Sequence, residues 1–88
     1  MLRTNPDVVA RRMDEEVVLV HLRTNRIYTL NPTAARFWEL AQSGLEREAI
    51  KRALLEEFEV DEITLEAEID ALVSELSGQE LLMTDARA

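Results

Sequence analysis

The residues able to do chemistry in this chain are few and badly placed for it. His21 is the only histidine and stands in the middle of an apolar run, so no second imidazole can join it in a metal site. It reads as a partly exposed strand residue. Ser43, Ser74 and Ser77 have no base close to them in sequence, and there is no cysteine to act as thiolate nucleophile or zinc ligand. With only two glycines there is no phosphate-cradling loop. The acidic run Glu56-Glu57-Phe58-Glu59-Val60-Asp61-Glu62 lacks the alternating oxygen ligands around a central glycine that Ca²⁺ takes. It reads instead as a solvated helix end followed by an N-cap. No catalytic residue, cofactor or metal is expected, and the chain does not read as an enzyme.

What the sequence offers is backbone. Ile27-Tyr28-Thr29-Leu30 is β-branched or aromatic at three of four positions, as a pleated, half-buried strand favours. Asn31 follows as an N-cap acceptor, and Pro32 takes the first helical position, where a missing N–H costs nothing. A strand running straight into a helix can remain on an open sheet edge. Such an edge carries unpaired N–H and C=O groups to which an extended peptide can add.

Other elements must hold that edge in place. Val8 to Met13 is a short, poorly alternating strand candidate closed by the acidic turn Asp14-Glu15-Glu16. Val17-Val18-Leu19-Val20-His21-Leu22 is a stronger strand, turned back by Arg23-Thr24-Asn25-Arg26 with Asn25 suited to a positive φ. Two registers compete. A two-residue Thr24-Asn25 turn pairs Leu22 with Ile27. A three-residue turn with a bulge at Asn25 pairs Leu22 with Arg26 and gathers Val18, Val20, Tyr28 and Leu30 on one face. The second is preferred because it collects the bulky groups, although a one-residue slip inverts it.

Three helices follow: Pro32 to about Gln42, stopping near Gly44; roughly Glu46 to Phe58; and Asp61 or Glu62 to Gly78. Ala49, Ile50, Ala53, Leu54 and Phe58 form the stripe of the second. Leu65, Ile69, Leu72, Val73 and Leu76 form that of the third, flanked by Glu66, Glu68, Asp70 and Glu75. Trp38 reads as core, since so small a domain needs its largest side chains inside. Most of this third stripe is expected in the core, with Leu72 and Val73 as the candidates to line an open groove. Leu81-Leu82-Met83 reads as a short last strand or a packed-down tail. The expected fold is α+β, one domain over residues 1–88, with a three-stranded antiparallel sheet followed by three helices.

The net charge is −8 and it is unevenly distributed. Residues 1–36 hold six arginines against four carboxylates, a balance of +2 that leaves −10 to the remainder. No basic residue lies between Arg52 and Arg87, so the helical half repels a phosphate backbone. Neither a signal-peptide pattern nor a segment of membrane-spanning length is present, and a cytoplasmic protein is expected.

The run Ile27-Tyr28-Thr29-Leu30-Asn31, then Thr33-Ala34-Ala35, Phe37-Trp38-Glu39-Leu40, Leu65-Glu66-Ala67-Glu68-Ile69 and a late Leu81-Leu82 resembles the PqqD-like family. These are recognition elements for ribosomally made, post-translationally modified peptides. The resemblance spans about Asp7 to Met83, and its Leu-Asn-x-x-Ala-x-x-x-Trp portion is the specific part. Ser43-Gly44 stands where the family often has Asp-Gly, and Glu68 where it often has Asp. The resemblance implies a winged-helix-like fold that takes the leader segment of a precursor peptide as an extra strand. On this sequence that strand is Ile27, Tyr28, Thr29 and Leu30, in a groove bounded by Glu68, Ile69, Leu72, Val73 and Leu76. The flank of the third helix that faces the groove is left open.

A freestanding element of this size resembles those of lasso-peptide pathways, which work beside a separate leader peptidase and a cyclase. The PqqD type, a peptide chaperone for a radical enzyme of quinone cofactor synthesis, is the nearest alternative. A monomer is expected, at least with peptide bound, with edge-to-edge homodimerisation as the rival. A DNA-binding winged helix is a weaker rival, because the helical half lacks a basic recognition helix.

Overall fold

The computed structural model describes residues 2–84; Met1 and residues 85–88 of the expected 1–88 domain lie outside the described residues. The order is β1 (Leu2–Thr4), β2 (Val8–Met13), β3 (Glu16–His21), β4 (Arg26–Leu30), α1 (Pro32–Gln42), α2 (Arg47–Glu57), α3 (Glu62–Gly78) and β5 (Leu82–Thr84). The expected architecture is present: β2, β3 and β4 form an antiparallel sheet in that order, and three helices follow. A second, two-stranded sheet joins β1 to β5, from Leu2↔Thr84 to Thr4↔Leu82. The first residues had given no strand signal, because this pairing joins the two ends of the chain and has no local signature.

The helix ends follow local chemistry. Asn31 Oδ1 accepts the Ala34 N–H at 2.8 Å, capping α1, and Asp61 Oδ1 does the same for Thr64 at the start of α3. At the end of α1, Gly44 adopts φ +93°, and the Leu45 N–H reaches back to the Leu40 carbonyl while Gly44 reaches Ala41. The end of α3 repeats this pattern with a different residue. Gly78 is its last helical residue, and Glu80 takes the left-handed position at φ +61°. The N-terminal segment secures that corner, since the Asn5 side-chain amide donates to the Glu80 carbonyl at 2.7 Å.

The hairpin register differs from both expected ones. His21 pairs with Arg26, Leu19 with Tyr28 and Val17 with Leu30, across a four-residue loop in which Asn25 has the anticipated positive φ of 62°. Relative to the preferred register this is a slip of one, so the inward face is the other one. Val17, Leu19, His21 and Leu30 are buried, while Val18 and Val20 turn to the outer face and are half-buried. His21 is therefore fully buried and not partly exposed; its Nδ1 accepts the Arg23 N–H at 3.3 Å.

The core lies between this face and the helices, around Leu19, Phe37, Trp38, Ile50, Leu54, Leu65, Ile69, Leu81 and Leu82. On α2 the inward stripe includes the stem of Lys51, whereas Ala49 is exposed. The Lys51 ammonium emerges between Glu62 at 3.0 Å and Glu66 at 2.9 Å on α3. Arg47, one turn earlier, bonds Glu66 and Asp70. A matching network of Arg36 with Glu39 and Glu57 ties α1 to α2, and Arg12 of β2 joins Glu39.

Candidate functional site

β4 has one neighbour in its sheet, so one of its sides is a free edge. The alternation of the antiparallel ladder determines which of its groups face that way. The Leu22 N–H bonds the Asp7 carbonyl at 2.8 Å, making that a hydrogen-bonded pair, and Val9/Val20 and Arg11/Val18 follow by alternation. β3 thus directs the peptide groups of Val17, Leu19 and His21 toward Leu30, Tyr28 and Arg26 of β4. Ile27 and Thr29 are left with N–H and C=O pointing away from the sheet. Two residues present four backbone groups, alternating donor and acceptor.

Beside this edge runs a cleft between β4 and α3. Its middle is a cavity of about 200 Å³ lined by Tyr28, Thr29, Leu30, Asn31, Ala34, Leu72, Glu75, Leu76, Gln79 and Leu81. Buried Leu30, Ala34, Leu76 and Leu81 make the floor, and Leu72 forms the helix-side wall. The Tyr28 hydroxyl and the Gln79 side-chain oxygen lie 2.8 Å apart, bridging β4 to the C-cap of α3. The cleft continues past the start of α1 into a cavity of about 220 Å³, which adds Thr33, Glu68 and Ala71.

This geometry assigns the flank of α3 that sequence left open. Leu72, Leu76 and Glu68 line the cleft. Ile69 is fully buried in the core, and Val73 packs against the core without reaching either cavity. On the strand, Tyr28, Thr29 and Leu30 border the cleft, while the Ile27 side chain projects from the outer face and is 67% exposed. Asn31, Thr33, Ala34, Ala71, Glu75, Gln79 and Leu81 were not anticipated. Glu75 and Gln79 had a readable signal, standing three and seven residues after Leu72 on one helix face. Leu81 had none, because it enters only through the turn after α3.

The electrostatics of α3 separate its two flanks. Glu62, Glu66 and Asp70 face α2 and are paired with Lys51 and Arg47. Hydrogen bonds from Lys51 and then Arg47 hold the Glu66 carboxyl below its usual range, and those to Glu66 and then Glu62 raise Lys51. On the cleft side, neither Glu68 nor Glu75 has a cationic partner among the described residues. Among those residues no group of histidines, cysteines and carboxylates is arranged to hold a metal ion, and no helix is long and apolar enough to cross a membrane.

A three-stranded antiparallel sheet followed by three helices is the α+β fold of PqqD-like structures. Residues 16–82 match the family described as coenzyme PQQ synthesis protein D (PqqD), and the chain belongs to that family. Two solved structures share the fold over nearly their whole length. TbiB1 in complex with the TbiA(beta) leader peptide is 33% identical, with a TM-score of 0.87 over 94% of this chain and 99% of that one. A lasso peptide synthetase B1 complexed with the leader peptide is 26% identical, with a TM-score of 0.83 over 94% and 98%. No curated protein matches the chain.

Proposed function

We propose that this protein binds the leader segment of a ribosomally made precursor peptide by strand addition to β4. It then presents that peptide to separate processing enzymes, a leader peptidase and a cyclase, in a lasso-type pathway. The observation that carries the reading is the outward-directed backbone of Ile27 and Thr29 lying along the apolar cleft of Leu30, Ala34, Leu72, Leu76 and Leu81. The two leader-bound lasso B1 structures support it, and their 94% cover of this chain favours the lasso reading over the quinone-cofactor one.

The energetics fit the role. Four backbone hydrogen bonds at ~0.5–1.5 kcal/mol net each are largely offset by the ~2–5 kcal/mol needed to order a disordered leader. Micromolar affinity, ~8 kcal/mol, then depends on side chains that enter the cleft. Backbone pairing sets register, and the cleft chooses the peptide. The chain performs no chemistry in this reading; it holds the substrate while other proteins cut and close it.

The test is fluorescence polarisation with a labelled leader and, separately, the core region of a precursor encoded beside this protein. Leader binding that is lost in Thr29→Pro, with no binding of the core, is the expected result. Equal binding of leader and core removes the reading.

A further inference from the structure

The cleft is polarised along its length. Three cavities join end to end, sharing Leu72 and Glu75 at one junction and Tyr28 and Gln79 at the other. At the α1 end lie Glu68 and Glu75, both without a cationic partner among the described residues. The middle has an apolar floor of Leu30, Ala34, Leu76 and Leu81, with Glu75 and Gln79 at its rim. At the hairpin end a cavity of about 240 Å³ holds Arg23, Arg26 and Glu80. Arg23 is paired with Glu80, so of the two arginines of this cavity Arg26 is the one without a carboxylate partner among the described residues. Elsewhere α3 pairs Glu62, Glu66 and Asp70 with α2, so its cleft-side carboxylates Glu68 and Glu75 lie toward one end of the cleft and Arg26 at the other.

The geometry points to a ligand with a matching order of charge: a peptide whose alternate residues are basic, apolar and acidic, reading from its N-terminus. This rests on the strand-addition reading and adds to it. Alternate residues of a strand share a face, so the residues at i, i+2 and i+4 enter the cleft together. From Leu30 back to Arg26 is four residues, about 14 Å, which matches that i to i+4 span. The sheet is antiparallel throughout, and an antiparallel addition places the peptide's N-terminal residue beside Leu30 and Asn31. The basic residue then meets Glu68 and Glu75 across Leu72, the apolar one enters beside Tyr28, and the acidic one meets Arg26. Exposed pairs of this kind contribute about two- to fivefold each in affinity at low salt, and exchanging the two charges turns both attractions into repulsions.

The test uses two fluorescein-labelled 12-residue peptides of equal composition. One carries lysine, leucine and glutamate at alternate positions; in the other the lysine and glutamate are exchanged. The full chain is expected to bind the lysine-first peptide more than about tenfold tighter at low salt, with the preference shrinking as salt rises. Glu68→Gln/Glu75→Gln and Arg26→Gln should each narrow it several-fold without altering the fold, since all three side chains are exposed. Equal affinities, or a preference for the glutamate-first peptide, overturn the polarity and leave peptide capture standing. A preference that persists unchanged in Thr29→Pro overturns the placement on this edge. Binding of neither peptide overturns the polarity, while the labelled leader, titrated alongside, decides the capture reading separately.

Discussion

Thr29→Pro separates strand addition from every other way of using this cleft. The Thr29 N–H points away from β3, so replacing it removes no hydrogen bond of the folded protein. Proline is tolerated on an edge strand for that reason, and Tyr28 before it already has the extended backbone proline demands. In the complex the same change removes one donor and puts the ring where a peptide carbonyl would approach. One bond is lost outright and its neighbours at Ile27 are strained, which at ~0.5–1.5 kcal/mol each amounts to about 2 kcal/mol, or roughly thirtyfold in Kd. The assay is polarisation of a labelled leader, with circular dichroism to show that the variant is folded. Ala10→Pro is the control, since it removes an outward N–H from β2, at the opposite edge of the sheet, and should leave Kd unchanged. A folded Thr29→Pro protein that binds the leader as tightly as the parent refutes the reasoning.

Three further outcomes follow from the same geometry. Leu72→Ala should weaken leader binding by ~1–3 kcal/mol, whereas Val73→Ala, off the cleft, should leave it near the parent value in the same titration. Trp38 is 1% exposed, so Trp38→Ala should cost ~3–5 kcal/mol in thermal or urea unfolding. Trp38→Phe should cost less, because the buried indole N–H has no acceptor among the described residues. Glu66 is held below its unfolded value of 4.5, so its contribution is complete above that pH and fades as pH falls through the lower folded value. Glu66→Gln should therefore flatten the acid limb of a stability–pH profile.

The features readable in the sequence were those with local causes. Asn31-Pro32 fixed the start of α1, Gly44 its end, and Asp61 the start of α3, each through a cap made within a few residues. The hairpin register was not readable, because Val17-Val18-Leu19-Val20 is apolar on both faces and offers no polar residue to mark the outside. The loop length decided it, and with it the burial of His21. The cleft-facing flank of α3 was nearly readable. Arg47 and Lys51 lie four apart on α2, as do Glu62, Glu66 and Asp70 on α3, and matching these spacings assigns that flank to α2. Glu68, Leu72, Glu75 and Gln79 then fall on the other side. The pairing of β1 with β5 stayed invisible, because three-residue strands at opposite ends of a chain carry no periodicity.

The sheet has two free edges, and their side chains explain why one of them suits a peptide. On β2 the outward backbone belongs to Val8, Ala10 and Arg12, by the same alternation that exposes Ile27 and Thr29 on β4. Arg11 and Arg12 stand on that strand, and Arg12 is drawn across to Glu39 of α1. Charged side chains on an edge oppose the approach of another strand, as edge strands of monomeric proteins commonly arrange. β4 has its one charge at its first residue, Arg26, and its remaining four are Ile27, Tyr28, Thr29 and Leu30. It also has a floor: a strand laid against it covers Leu30, Ala34 and Leu72, whereas one laid against β2 finds the Arg12–Glu39–Arg36–Glu57 network. Backbone pairing is available at both edges. Only at β4 would a strand gain apolar burial in the same step, and in the proposed reading that second gain decides where the leader settles.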